Sequence, residues 1–226
     1  MGGKSRSTRR PRRGVRRAAL GKSTEFSQER ARRTHESLVL AAARLFGERG
    51  YDGVGSPDIA RAAKVSVGSF YRYFNDKKAV YLEVVRRLTQ RAFDDSMAGL
   101  APERFVGATR RYTISMAIDV FFAHAERNTG LWRSFLAMSM RDPEVAAIQQ
   151  QVETESLRRM AALVASATTR DRVPNPQATA LILYATCNQC ACYSAGIIGS
   201  RDLDSPSLRK PLADFIEHAL FPDAEG

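Results

Sequence analysis

The first 24 residues contain no acidic side chain, and residues 173–200 contain no charged side chain of either sign. Cysteine is scarce as well. Cys187, Cys190 and Cys192 crowd into one segment, a spacing that cannot staple a fold and that points to a reducing cytoplasm. On a helix of about 3.6 residues per turn, Cys187 and Cys190 are neighbours while Cys192 projects away from both, so no three-thiolate site is expected. His35, His124 and His218 are scattered without ligand spacing, so neither a metal nor a cofactor is expected. The chain has no Gly-x-Ser-x-Gly elbow, no His-Glu-x-x-His, no glycine loop for phosphates and no convincing acid pair, which argues against an enzyme and leaves no catalytic residue to name. No apolar run follows the basic start, so no secretory signal is expected. The uncharged stretch is a poor membrane span: Pro174 and Pro176 cut its start, and Asn188 and Gln189 sit near its middle. It reads instead as a helix buried in a protein interface.

What is present is an uneven charge. The formal net charge is +11, of which residues 1–24 carry +9, residues 25–80 carry +3 and residues 81–226 carry −1. A basic end on a nearly neutral body suggests a head that binds a polyanion and a body with another task. Residues 1–25, rich in Arg, Ser and Gly, read as a disordered basic arm.

The rest reads as an all-α chain. A first helix is expected from Ser27, with Leu38, Ala41, Ala42, Leu45 and Phe46 at helical spacing and Gly50 as its stop. A short helix follows over 56–63, with Pro57 in its first turn. Lys64, Val65 and Ser66 make a tight turn, and Ser66 caps a second short helix over 67–74. Asn75 is expected to cap a longer helix reaching Met97. Helices over 103–127, 131–140, 143–168 and 176–199 and a final one ending near Leu220 complete the pattern, with no run of alternating strand residues.

Two short helices joined by a three-residue turn make a helix-turn-helix. Ala60, Ala62 and Ala63 keep the first small enough for the second to cross it closely. Val67, Gly68 and Ser69 give the second a slender N-terminal end of the kind that enters a major groove. Tyr71, Tyr73 and Lys77 are placed to donate to phosphates, which positions a head without reading sequence.

The run Asp58-Ile59-Ala60, Val65-Ser66-Val67-Gly68, Tyr71-Arg72-Tyr73-Phe74 and Lys77 resembles the DNA-binding signature of the TetR family, and Leu38-Val39, Ala41-Ala42 and Leu45-Phe46 are similar to that family's first helix. The resemblance covers residues 33–85. It implies a three-helix DNA-binding domain over 26–76 and a helical ligand-binding and dimerisation domain over 77–226. It places Val67, Gly68, Tyr71 and Arg72 nearest the bases and Ser69, Tyr73 and Lys77 on phosphates. Arg72 suits bidentate pairing with guanine, with a phosphate contact as the equal alternative. Two positions depart from the family. Lys64 replaces a frequent Gly at a turn position that favours a left-handed backbone, at a cost of about 1 kcal/mol, and brings a cation towards DNA. Val54 and Gly55 stand where the family favours Thr, leaving Ser56 to supply that hydroxyl.

For the body, the resemblance implies a homodimer paired through its last two helices, reading a palindromic double-stranded operator. The charge-free helix and the apolar series Leu212, Phe215, Ile216, Ala219 and Leu220 agree with that. The bulky middle helices suggest a cavity for a mostly apolar effector, with Tyr112, Met116, Phe122, Trp132, Phe135, Met160 and Tyr184 as lining candidates and Asn188 as a polar anchor. The expected activity is that of a cytoplasmic, ligand-released repressor, with a thiol-responsive or ligand-independent dimeric DNA-binding regulator as the alternative.

Overall fold

The computed structural model describes residues 14–107, 109–199 and 203–221, with side chains from residue 28 onward. Its described residues form α-helices and one short 3-10 turn, and no strand. In order the helices are α1 (Gly14–Arg49), α2 (Ser56–Ala62), α3 (Val67–Tyr71), α4 (Lys77–Met97), α5 (Thr109–Arg127), α6 (Thr129–Ser139), α7 (Pro143–Ala167), α8 (Pro176–Ser194) and α9 (Ser205–Leu220), with the 3-10 turn at Pro102–Arg104.

The expected helix start at Ser27 is corrected: α1 already begins at Gly14 and runs through Ser27. Ala18, Ala19, Leu20 and the arginines there are strong helix formers, so basic composition did not imply irregular backbone. The part of the expected disordered arm at 1–13 lies outside the described residues. Other ends move for local reasons. Asp76, not Asn75, caps α4, its carboxylate accepting from the Ala79 N–H at 2.7 Å. α8 stops at Ser194 because Gly196, at φ 64, closes it with bonds from Gly196 N–H to the Tyr193 carbonyl and from Ile197 N–H to the Cys192 carbonyl. The cap expected at Ser66 is present, and Asp142 and Asn175 cap α7 and α8 in the same way.

Two cores hold the chain. The first gathers Leu38, Phe46, Ile59, Phe70 and Tyr81 from α1–α4 with Leu131, Phe135 and Val145 from α6 and α7. The second lies among α5, α7, α8 and α9, around Ile114, Phe122, Leu183, Leu212 and Ile216. The N-terminal helices are thus not packed only on one another, because α6 and α7 enter their core. Polar links follow the same seam. Tyr81 Oη and Ser134 Oγ are hydrogen-bonded at 3.2 Å in a buried site, Lys78 Nζ pairs with Asp142 at 2.8 Å, and Arg141 reaches Asp52 at 2.9 Å.

Candidate nucleic-acid interface and ligand cavity

The turn between α2 and α3 is set by its backbone. Lys64 has φ 58; its N–H donates to the Arg61 carbonyl and the Val65 N–H to the Ala60 carbonyl, each near 3 Å. This closes α2 in the way glycine usually does, now with a lysine side chain left exposed. At the other end of α2 the Gly55 N–H donates to Asp58 Oδ2 at 3.0 Å. Ser66 Oγ accepts from the Ser69 N–H at 3.1 Å and lies 2.9 Å from Ser69 Oγ, so the cap also fixes the Ser69 hydroxyl.

The two faces of α3 separate cleanly. Phe70 and Phe74 are buried at 0% and 5% exposure, while Val67 and Tyr71 stand out at 41% and 53%, with Gly68 and Arg72 exposed beside them. Large apolar groups held outward beside a cation, on a short helix anchored by two buried rings, make a protruding ridge. The side chains of Lys64 and Arg72 are exposed and make no ion pair or hydrogen bond among the described residues, so both cations are available to an anion. Ser69 and Tyr73 are partly buried, and the Tyr73 ring meets His35 edge-on at 6.1 Å.

Two of the sequence assignments change here. Lys77 turns inward: its Nζ donates to the carbonyls of Tyr51 and Val54, both at 3.0 Å, and lies 4.3 Å from the Tyr51 ring centre. Carbonyl oxygens and a π-face satisfy the ammonium, so Lys77 ties the α1–α2 loop to α4. Ser56, at 9% exposure in the first turn of α2, has almost no surface to offer a phosphate. Sequence reading missed the pairing of Lys77 with the loop, because no local spacing relates Lys77 to Tyr51, 26 residues earlier. It also gave His35 no role, whereas His35 stacks on Phe74 at 5.1 Å and lies 3.2 Å from Glu83 of α4.

In the body, two cavities adjoin. The first, about 130 Å³, lies between α4, α5, α7, α8 and α9 and is almost wholly apolar, with Phe93, Phe105, Phe122, Met160 and Leu183 among its walls. The second, about 210 Å³, adds polar groups: Thr89, Gln149, Ser156, Asn188 and Gln189, beside Trp132 and Phe135. Phe93, Phe121 and Tyr184 line both, so they form the partition. Phe122, Trp132, Phe135, Met160, Tyr184 and Asn188 line one or both of these cavities. Tyr112 does not: it is 69% exposed on the outer side of α5. Met116 also lies elsewhere, its methyl against Gly99 in the α4–α5 link. Both share α5 with true lining residues, and spacing along one helix could not say which side the cavity occupies.

Burial keeps this region uncharged. It pushes the Tyr184 phenol up to about 12, the Cys187 thiol up to about 12 and the Cys192 thiol up to about 11. Among the described residues no three His, Cys, Asp or Glu side chains are grouped to hold a metal, and no helix is long and apolar enough to cross a membrane. The outward faces of the last helices carry Leu181 and Ile182 on α8 and Phe215 on α9. Leu212, Ile216 and Leu220, expected at a dimer interface, are instead turned into the chain's own core, as are Ala191 and Ala195.

Residues 38–84 match the family described as bacterial regulatory proteins, tetR family. Over 53% of its length the chain is 31% identical to the HTH-type transcriptional activator FasR of Mycolicibacterium smegmatis, covering 52% of that protein. The chain thus spans about half the length of this curated relative. A structure described as a TetR-family transcriptional regulator from Mesorhizobium loti has a TM-score of 0.72 at 21% identity, over 84% of this chain and 96% of that one. A transcriptional regulator from Saccharomonospora viridis, solved in complex with choline, has a TM-score of 0.64 at 23% identity, over 84% of this chain and 97% of that one.

Proposed function

Because this chain carries the N-terminal domain of the TetR family, we propose that it is a DNA-binding transcriptional regulator whose hold on its operator is released by a small ligand. The observation that carries the reading is α3: Val67, Gly68, Tyr71 and Arg72 project from a helix whose other side is locked by Phe70 and Phe74. A five-residue helix so anchored is narrow enough for a major groove, and Arg72 beside it suits a guanine edge. Residues 26–76 act as the reading head, and residues 77–226 as the body that binds ligand and pairs with a second copy in the cytoplasm. Leu181, Ile182 and Phe215 supply the apolar surface for that pairing, and two heads related by a twofold axis call for a palindromic operator.

The switch follows from α6. Trp132 of this helix lines the polar chamber, while Gly130 lies against the α1 backbone and Ser134 bonds Tyr81 of α4. A ligand that moves α6 therefore moves α1 of the head and α4, which follows the head directly, and operator and ligand oppose one another by linkage. The choline complex of the Saccharomonospora relative supports a small-molecule site in this fold. Bound at its operator the dimer represses, and ligand relieves that repression; one relative is named as an activator, and reporter assays with and without the gene read the direction of control.

The test is anisotropy of labelled duplexes carrying palindromic sites selected from random DNA. Tight, salt-sensitive and sequence-selective binding is expected. Equal affinity for selected and random duplexes at physiological salt would refute the reading.

A further inference from the structure

The double cavity constrains the chemistry of its occupant. The apolar chamber is similar in size to an engineered cavity of about 150 Å³ that accommodates benzene. It suits a small ring or a short alkyl group, not a long chain coiled on itself. The neighbouring chamber offers hydroxyl and amide groups, Thr89, Ser156, Gln149, Asn188 and Gln189, and no Asp, Glu, Lys or Arg lines either space. An ion buried there would lose its hydration with no opposite charge to replace it. Glu153 acts on the Tyr184 phenol but does not line either chamber.

One donor belonging to a residue of this chamber is unused. The Trp132 indole N–H is buried with no hydrogen-bond partner among the described residues, beside the His124 ring, which meets it edge-on at 6.3 Å and whose Nδ1 is buried and unpartnered as well. Indole is a donor only, so the partner it lacks is an acceptor. A buried N–H left unpaired is costly, and an acceptor brought by a ligand would remove that cost on binding.

We infer that the ligand is an uncharged molecule: a compact apolar group for the first chamber, joined to a neutral acceptor such as an amide or ester carbonyl that takes the Trp132 N–H in the second. This rests on the proposal that the cavity is the ligand site, and it adds the ligand's charge and its recognition element.

Trp132 is the chain's single tryptophan, so its emission reports on the site directly. The full chain is titrated with octanamide, octanoate and octylammonium at neutral pH. Octanamide changes the emission and binds at least about tenfold more tightly than either ion. An ion that binds as well as octanamide, or no emission change with any of the three, overturns the inference. Trp132→Phe, followed by calorimetry, weakens octanamide several-fold; unchanged binding there removes the indole as the recognition element. Asn188→Asp provides a second readout, moving preference towards octylammonium, and an unmoved preference counts against the neutral lining as the cause. Operator binding is measured in parallel. If octanamide binds and the operator is not released, the switch fails while the ligand class stands; if an ion binds best and releases operator, the reverse holds.

Discussion

Gly130, in the first turn of α6, rests on the backbone of Gly47 in α1, so closely that a Cβ built on Gly130 would overlap the Gly47 carbonyl oxygen. The same spot seen from the other helix is relaxed: a Cβ on Gly47 would lie 3.5 Å from the Leu131 nitrogen, an ordinary contact. The two helices are held together by the absence of a side chain on one of them.

The two glycines should therefore respond oppositely to the same change. Gly130→Ala forces α6 away from α1 and should cost about 1–3 kcal/mol, as overpacking usually does. Gly47→Ala removes a flexible residue from a helix interior and should be neutral or stabilising by up to about 1 kcal/mol. Urea unfolding of both variants measures this, and equal losses would mean the helices do not meet as described.

Lys64, at φ 58, holds a backbone conformation that favours glycine. Lys64→Gly should raise stability by up to about 1 kcal/mol while weakening DNA binding through the lost cation. Thermal unfolding and salt-dependent anisotropy together separate the two effects.

Arg72 and Lys77 should behave differently although both were assigned to DNA. Arg72→Ala should weaken operator binding by about 1–3 kcal/mol with little change in stability. Lys77→Met removes the bonds to the Tyr51 and Val54 carbonyls and should destabilise the head by about 1–3 kcal/mol, leaving the salt slope of binding in place. A drop of about one in that slope, with stability unchanged, would return Lys77 to a phosphate.

His124 gives a pH dependence. Burial holds its pKa below the ordinary 6.5, because charging the ring inside the fold is unfavourable. The unfolded chain takes up the proton first, so this contribution is whole above pH 6.5 and is lost as pH falls through the folded value. His124→Gln should flatten the fall in unfolding midpoint on the acid side of 6.5. A parallel fall in both proteins would show that His124 does not cause it.

The thiols should be inert. Cys187 is pushed up to about 12 by burial, with Cys190 adding to the effect, so almost no thiolate is present at neutral pH. Mild peroxide should leave operator binding of the parent and of Cys187→Ser the same. Loss of binding in the parent alone would revive the thiol-responsive alternative.

The local pattern determined the helices and the turn of the head, while α6 and α7 complete its core. The left-handed turn at Lys64 comes from the family resemblance, and the structure shows Phe70 and Phe74 as the anchors; Ser66 as a cap is a matter of neighbouring residues and helical period, so it can be read from spacing. The direction of the Lys77 side chain could not be, because it depends on where the loop at Tyr51 and Val54 comes to rest. The same holds in the body. Helical period grouped Leu212, Phe215 and Ile216, and only the packing of α9 on α5 and α8 turned Leu212 and Ile216 inward and left Phe215 outside. Likewise Phe122 faces the cavity and Tyr112 the solvent, although both are aromatic and share α5. A sequence fixes a helix and its repeat through interactions a few residues apart; which side of that helix becomes interior is decided by partners far away in the chain.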